Sequence, residues 1–346
     1  TIRRVKERAC LEHCARSRRA AAFGAACSAF LFAWLGALPP SLCAAPRSPE
    51  PVTVGAYLQD IQHLDLKSHS YYADLYIWFR WRNASLNPAA SFEFINPYES
   101  WGLMRAQDYE KPLLLPNGEY YQVVRAQGWF SRKLPLYDYP LDRQTLVVEL
   151  EDSGHAAQDL VFFPDRRPIA LNPSLQLPGF LIGSPALVVE PYTYPTDFGD
   201  PREAPRTVFS RVRVELPIAR PMFPYAVKLI LPIVCVVFCA SLMFLFHPKY
   251  VDARVGIGIT ALLTIVALQI TLNEDLPEVS YLVLMDKIYL GAYLFVIAGL
   301  AVVVKTTWMI EHGSVPRAIR LDRRSLIVLS LLYVAVTGVL LFQVLH

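Results

Sequence analysis

The stretch from residue 46 to residue 221 holds no cysteine: Cys10, Cys14, Cys27 and Cys43 precede it, and Cys235 and Cys239 follow it. No disulfide framework can staple that region, so a fold there rests on its own core. Charge is scarce too, at 18% of 346 residues against 54% hydrophobic, too little for an ordinary soluble protein and too much for a chain wholly inside lipid. Absent as well are a phosphate-cradling glycine loop followed by lysine, paired histidines at metal spacing and a nucleophile elbow. Gly256 and Gly258 fall inside an apolar run and form no dinucleotide motif. These absences argue against an enzyme, a metal centre and a bound cofactor. Of 33 basic residues, Arg3, Arg4, Lys6, Arg8, Arg16, Arg18 and Arg19 crowd the start beside only Glu7 and Glu12. Without that stretch the balance turns slightly negative, which leaves no electrostatic footprint for a nucleic-acid partner.

What is present divides in three. A basic stretch to Arg19, an apolar run from Ala20 to Leu38 and the small-residue segment Cys43-Ala44-Ala45 read as an export signal over 1–45. An uncleaved anchor is the alternative, because the apolar run is long. From Pro46 to Pro221 the runs Asp74–Trp81, Tyr120–Arg125, Gln144–Leu150 and Thr207–Val214 alternate with period two, and β-branched and aromatic residues fill them. Turn signals such as Pro116-Asn117-Gly118, Asp152-Ser153-Gly154 and Asn172-Pro173 separate them too closely for crossover helices. About ten short strands in an antiparallel, immunoglobulin-like β-sandwich over 46–221 are expected.

Beyond Pro221 come four uncharged apolar stretches, Leu229–Phe246, Val255–Leu272, Ile288–Val304 and Ser325–Leu345, each near the ~20 residues that cross a bilayer. They predict a four-helix transmembrane domain over 222–346, with helices at about 225–246, 252–273, 281–305 and 324–345, hence an α+β membrane protein. Cys235 and Cys239, four residues apart on one helical face, read as small buried hydrophobes. The loops carrying Lys249 and Lys305, Arg317, Arg320, Arg323 and Arg324 are basic, whereas the middle loop holds Glu274, Asp275 and Glu278. The positive-inside rule puts the basic loops in the cytoplasm and both the sandwich and the C-terminus outside, in a multi-pass protein of the plasma or inner membrane.

The second stretch is the least apolar. Asp252, Gly256, Thr260, Leu263, Ala267 and Ile270 follow spacings of 4, 4, 3, 4 and 3, which is 3.6 residues per turn and one continuous stripe. From the cytoplasmic end it runs acid, small, hydroxyl, then bulky apolar, the order of a pore wall with a charge ring and a constriction that gates by dewetting. The other reading is a helix whose polar residues bond its neighbours. One helix encloses no pore, so the pore reading needs several copies around an axis.

Asp252-Ala253-Arg254-Val255-Gly256-Ile257-Gly258-Ile259-Thr260, continuing to Leu276-Pro277-Glu278-Val279-Ser280-Tyr281, resembles the pore helix and following loop of the pentameric ligand-gated ion channels, the Cys-loop receptor superfamily. Tyr139-Pro140-Leu141-Asp142-Arg143-Gln144 resembles their signature loop, and Phe92-Glu93-Phe94-Ile95-Asn96 a strand-loop segment of the bacterial members. Pro232 falls where the first membrane helix of the family carries a proline. The two cysteines that bracket the signature loop in animal receptors are missing near Arg132 and Leu146, as in the prokaryotic branch, and the connection from Lys305 to Arg324 is short.

The resemblance implies a homopentamer, each subunit meeting four identical ones in membrane lipid, and a small-molecule agonist held between neighbouring outer domains. Aromatic cages hold cations in this family by cation–π attraction. Tyr192, Tyr194 and Phe198 would belong to the cage, with Glu93 and His155 beside them and Tyr76, Arg80 and Arg125 across from the neighbour. An incomplete cage makes carboxylates or protons alternative triggers, with His247, Glu274 or Asp275 as titrating groups. Coupling would run through the turn at Leu64–His69, Asp142, Arg220 and the loop holding Pro277. Leu263 and Ile270 would be the gates. Five copies of Asp252 would attract monovalent cations, although the Ala253–Gly256 phrase resembles the anion-selective glycine receptors, which carry a proline in place of Asp252. Arg254, about 200° around the helix from Asp252, would face a neighbouring helix or pair with an acid. A non-conducting exported receptor is the remaining alternative.

Overall fold

The computed structural model describes residues 48–196, 199, 207–274 and 276–345. The expected export signal, Phe198 and Asp275 lie outside them. The strands are β1 (Glu50–Asp65), β2 (Ser70–Trp81), β3 (Phe92–Phe94), β4 (Met104–Gln107), β5 (Leu113–Leu114), β6 (Tyr120–Ser131), β7 (Arg143–Asp152), β8 (Leu160–Leu171), β9 (Leu181–Ile182), β10 (Ala186–Thr193) and β11 (Val208–Ala219). One sheet runs β4-β6-β2-β1-β8 with β5 against β6; the other runs β10-β11-β7-β3 with β9 against β11. The period-two pattern places Val52, Val54, Ala56 and Leu58 of β1, Leu75, Ile77 and Phe79 of β2 and Val212, Val214 and Leu216 of β11 in one buried core between the sheets.

Among the described residues, every strand pair is antiparallel but one. β1 and β8 run parallel from Glu50 beside Leu160 to Leu58 beside Leu171, which departs from a wholly antiparallel sandwich. The chain reaches β8 from β7, which belongs to the opposite sheet, so it re-enters the first sheet in the direction of β1 without a crossover helix.

Among the described residues, four helices are long and apolar enough to cross a membrane: α1 (Met222–Phe244), α2 (Val251–Glu274), α3 (Leu284–Glu311) and α4 (Val315–Leu345). α3 ends six residues past 305 and α4 starts nine before 324, because the apolar stretch marks the hydrocarbon while the helix continues into polar surroundings until Gly313, whose φ of 76° suits glycine. α1 widens into a π-helical turn at Ala226–Ile230, next to Pro232, whose missing N–H leaves the Lys228 carbonyl without its usual donor. At Gly258 of α2 a Cβ would stand 2.5 Å from the Leu300 side chain of α3, so a larger residue would have to push that leucine aside.

Cys235 and Cys239 are exposed, lining an open groove of about 530 Å³ between α1 and α2, and this corrects the expectation that they are buried. Lipid is as apolar as a protein core, so a hydrophobic residue on a membrane helix needs no protein neighbour.

Candidate functional site: a polar helix face and two aromatic clusters

α2 has two faces. Arg254, Gly258, Ala261, Ile265 and Leu272 are buried against the other helices. Asp252, Gly256, Thr260, Leu263, Ala267 and Ile270 are all exposed, Leu263 at 65% and Ile270 at 57%. At 100° per residue the centres of these sets lie about 170° apart, so the stripe points directly away from the packed side. A Cβ at Gly256 would meet nothing within 4 Å. Thr264 and Thr271, next to the stripe, return their hydroxyls to the carbonyls of Thr260 (2.8 Å) and Ala267 (3.1 Å), which partly satisfies them.

Glu274 is the last residue of α2, exposed and four residues beyond Ile270. It continues the stripe and sets a second carboxylate at the end opposite Asp252. Sequence reading assigned it to a loop; extending the 3.6 period by one more step would have found it.

Arg254 is 0% exposed and crosses to three other helices. It donates to the Met243 carbonyl at the end of α1 (2.8 Å), to Thr306 Oγ1 of α3 (3.1 Å) and to Asp322 Oδ1 of α4 (2.5 Å), itself 2% exposed. The guanidinium faces away from Asp252, packed and paired.

At the junction of sandwich and helices, Leu66, Leu136, Tyr139 and Leu141 join the apolar core of the membrane domain beside Leu276, Val279 and Tyr281. Tyr137 stacks on Tyr281 at 3.9 Å. The Tyr281 hydroxyl accepts from the Leu136 N–H (2.9 Å), and the Leu284 N–H donates to the Tyr137 carbonyl (2.8 Å). Pro277 is half-buried in the same loop. Arg220 Nε lies 2.8 Å from Asp142 Oδ1, and both residues are buried. The rings of Phe180 (4.5 Å), Tyr139 (5.0 Å) and Tyr225 (5.1 Å) surround the guanidinium. This enclosure suits arginine because its flat cation stacks on aromatic faces.

The expected ligand residues form two groups that a single chain does not bring together. On the β10-β11-β7-β3 sheet, Tyr192 and Tyr194 stand edge to face at 4.9 Å, and the register sets Glu93 beside Glu151. His155 Nδ1 lies 2.7 Å from Asp152 Oδ1. Into this group comes a residue that sequence reading missed: the guanidinium of Arg211 lies 3.5 Å from the Tyr192 ring centre, with Nε on Glu151 Oε1 and Nη2 3.0 Å from the Tyr194 hydroxyl. Burial and the neighbouring Glu151 push the Tyr194 phenol above its ordinary pKa. Alternation along β11, where Arg211, Arg213 and Glu215 share one side, was the available signal.

On the other sheet, β2 and β6 set Tyr76 opposite Arg125, whose guanidinium lies 5.3 Å from that ring and is held by both oxygens of Asp74 at 3.0 and 2.7 Å. Arg80 pairs with Asp165 (2.5 Å), which also accepts from Trp78 Nε1 (2.9 Å), at the edge of a cavity of about 470 Å³ shared with Leu115 and Tyr121.

A β-sandwich joined through an ordered loop contact to four membrane-length helices, one with a polar stripe turned away from its neighbours, defines the subunit of a receptor channel. Comparison with known proteins agrees. Residues 229–310 match the model of the neurotransmitter-gated ion-channel transmembrane region. Over 86% of its length the chain is 24% identical to the proton-gated ion channel of Gloeobacter violaceus, covering 84% of that protein. It is 25% identical to the gamma-aminobutyric acid receptor subunit beta-4 of Gallus gallus over 54% of this chain and 37% of that subunit. A gamma-aminobutyric acid receptor subunit beta-like protein of Drosophila melanogaster matches at 28% over 51% of this chain, spanning 34% of that protein. These matches support a pentameric, Cys-loop-type ligand-gated ion channel. The chain is a multi-pass membrane protein with a large extracellular domain and is not an enzyme.

Proposed function

We propose that five copies of this chain form a cation-selective channel whose pore is walled by α2 and which opens when a small molecule binds between neighbouring outer domains. The observation that carries this reading is the exposed stripe of α2. Two carboxylates, a threonine and a glycine on the face opposite the packed side suit a water-filled passage better than lipid. Asp252 forms the selecting ring at one mouth, Glu274 a second ring at the other, and Leu263 and Ile270 the dewetting constrictions. The two ligand groups lie on different sheets, which fits a site completed by a neighbour. An amine would find the Tyr192–Tyr194 slot filled by Arg211, so the agonist either displaces that guanidinium or brings a carboxylate to it.

The test is the current through purified protein in a planar bilayer under a potassium chloride gradient, stepping first pH and then a panel of amines and carboxylates. Reversal near the potassium potential supports the proposal. Reversal near the chloride potential makes the channel anion-selective, and ligand binding without current makes the protein a non-conducting receptor. Leu263→Thr should conduct without stimulus, since a hydroxyl wets the constriction; a silent variant with normal assembly would remove Leu263 from the gate.

Proton gating is the second reading, favoured by the named activity of the Gloeobacter relative and by His69. This residue sits at the β1–β2 turn whose Leu66 packs into the membrane core. Its Nδ1 accepts from the Leu134 N–H at 3.3 Å, and burial and Lys133 hold its pKa below 6.5. Any stability this contributes is complete above pH 6.5 and is lost as pH falls through the lowered folded value.

Coupling runs through Tyr137 and Tyr281. Tyr281→Ala should leave assembly intact and raise the half-activating stimulus by about twofold to thirtyfold, the effect of ~0.5–2 kcal/mol of coupling. An unchanged dose–response curve would place the coupling elsewhere.

A further inference from the structure

The Arg211 guanidinium stands where a ligand cation would stand. Its centre lies 3.5 Å from the middle of the Tyr192 ring and 5.9 Å from that of Tyr194, the approach by which aromatic faces hold amines. A carboxylate completes the arrangement. Nε donates to Glu151 Oε1, while the Tyr194 hydroxyl accepts from Nη2 (3.0 Å) and donates to Glu151 Oε2 (3.1 Å). Aromatic faces, a phenol oxygen and an acid are the groups that recognise an ammonium or guanidinium ion. Here the cation arrives on the chain itself, carried by β11.

The occupant is firmly held. Arg211 is 7% exposed and Glu151 3%, and Nη1 lies 3.5 Å from Glu149 Oε2. Tyr192 is 37% exposed, so the slot lies at the surface, within reach of a soluble ligand. An incoming amine would have to turn Arg211 out of a buried ion pair, in return for a cation–π contact no better than the one already made. Displacement of the guanidinium by an amine is therefore closed. The neighbouring arginines are engaged elsewhere: Arg213 takes Glu190 (3.1 Å) and Glu215 (2.9 Å), and Arg132 takes Glu149 (3.6 Å). Among the described residues Glu151 has no second cation, so taking Arg211 away would leave the slot and its acid open.

We propose that Arg211 sets the ligand specificity of this site: the chain fills its own cation slot, so the wild type refuses amines, and removal of the side chain turns the slot into a receptor for small organic cations. This rests on the reading that the agonist meets this sheet, and it names the residue that shuts out one class of ligand.

The full chain, purified in detergent, is titrated with methylguanidinium chloride while its thermal unfolding is followed; potassium chloride and neutral methylurea control for ionic strength and shape. R211A should unfold earlier than the wild type and regain stability in millimolar methylguanidinium. It should bind that ion at least about tenfold more tightly than the wild type does, within the range of cation–π attraction. Methylurea should have no such effect. R211A/E151Q removes both charges of the pair and serves if R211A does not assemble; through the rings alone it should still bind about threefold more tightly than the wild type. Equal affinity of the wild type and an assembled variant for methylguanidinium, or equal stabilisation of R211A by methylurea, would overturn the proposal. Currents in a planar bilayer separate this from the gating reading. Methylguanidinium-evoked current in R211A and none in the wild type supports both, whereas tighter binding without current upholds the role of Arg211 and removes the slot from channel opening.

Discussion

Asp322→Ala is expected to cost the folded subunit about 3–5 kcal/mol and to abolish assembled, monodisperse protein at ordinary temperature. The two charges are 0% and 2% exposed along their side chains. Removing the carboxylate leaves the guanidinium of Arg254 in a site closed to water, with only the Met243 carbonyl and the Thr306 hydroxyl as neutral acceptors. Neutralising the arginine by deprotonation is not open to it. A paired replacement, Arg254→Met with Asp322→Leu, removes both charges and should restore a large part of the loss, because a buried ion pair is often no more stable than hydrophobic groups of similar volume. Size-exclusion profiles and thermal unfolding in detergent check both statements; an Asp322→Ala protein within about 1 kcal/mol of wild type would show that water reaches Arg254.

Asp252→Ala is expected to remove most of the preference for cations. A monovalent ion about 6 Å from one carboxylate gains ~0.7 kcal/mol in water, roughly half of it after screening at physiological salt. Five such groups give on the order of 1.5 kcal/mol, about tenfold enrichment of the cation and a matching exclusion of the anion. Under a tenfold potassium chloride gradient the wild-type current should reverse close to the potassium potential, about 59 mV from zero. The variant should reverse most of the way toward zero, with Glu274 supplying the remainder. No movement of the reversal potential would end the charge-ring account of Asp252. Arg254 leaves this estimate unchanged, since its charge is spent on Asp322 on the far side of the helix.

Legibility of the sequence followed the range of the interaction. The α2 stripe could be read because a 3.6-residue period is a local property and the side chains that share it need no partner to define their face. That Arg254 turns away from the stripe was equally local, but Asp322, 68 residues later, could not be named as its acid. The pairing of Arg220 with Asp142 was reachable through resemblance, and the aromatic enclosure around it was not. Strands of the sandwich showed in alternation, whereas the parallel contact of β1 with β8 depends on which sheet β7 joins, a choice written in no single segment. Arg211 escaped for the same reason: it sits 17 residues from Tyr194 and 60 from Glu151, and only the assembled sheet places it against the tyrosines.

The π-helical turn at Ala226–Ile230 amounts to one residue more than a regular helix would use, and it lies between the junction with the sandwich and the body of α1. Deleting a single residue there would shorten the helix by only about 1.5 Å while rotating everything above it by about 100°. Arg220, locked to Asp142, would have to be wrenched around or let go. Single-residue insertions and deletions in this segment should therefore be far less tolerated than substitutions. Mutational scans that count length changes would register phase, rather than length, as the quantity under selection at the top of this helix.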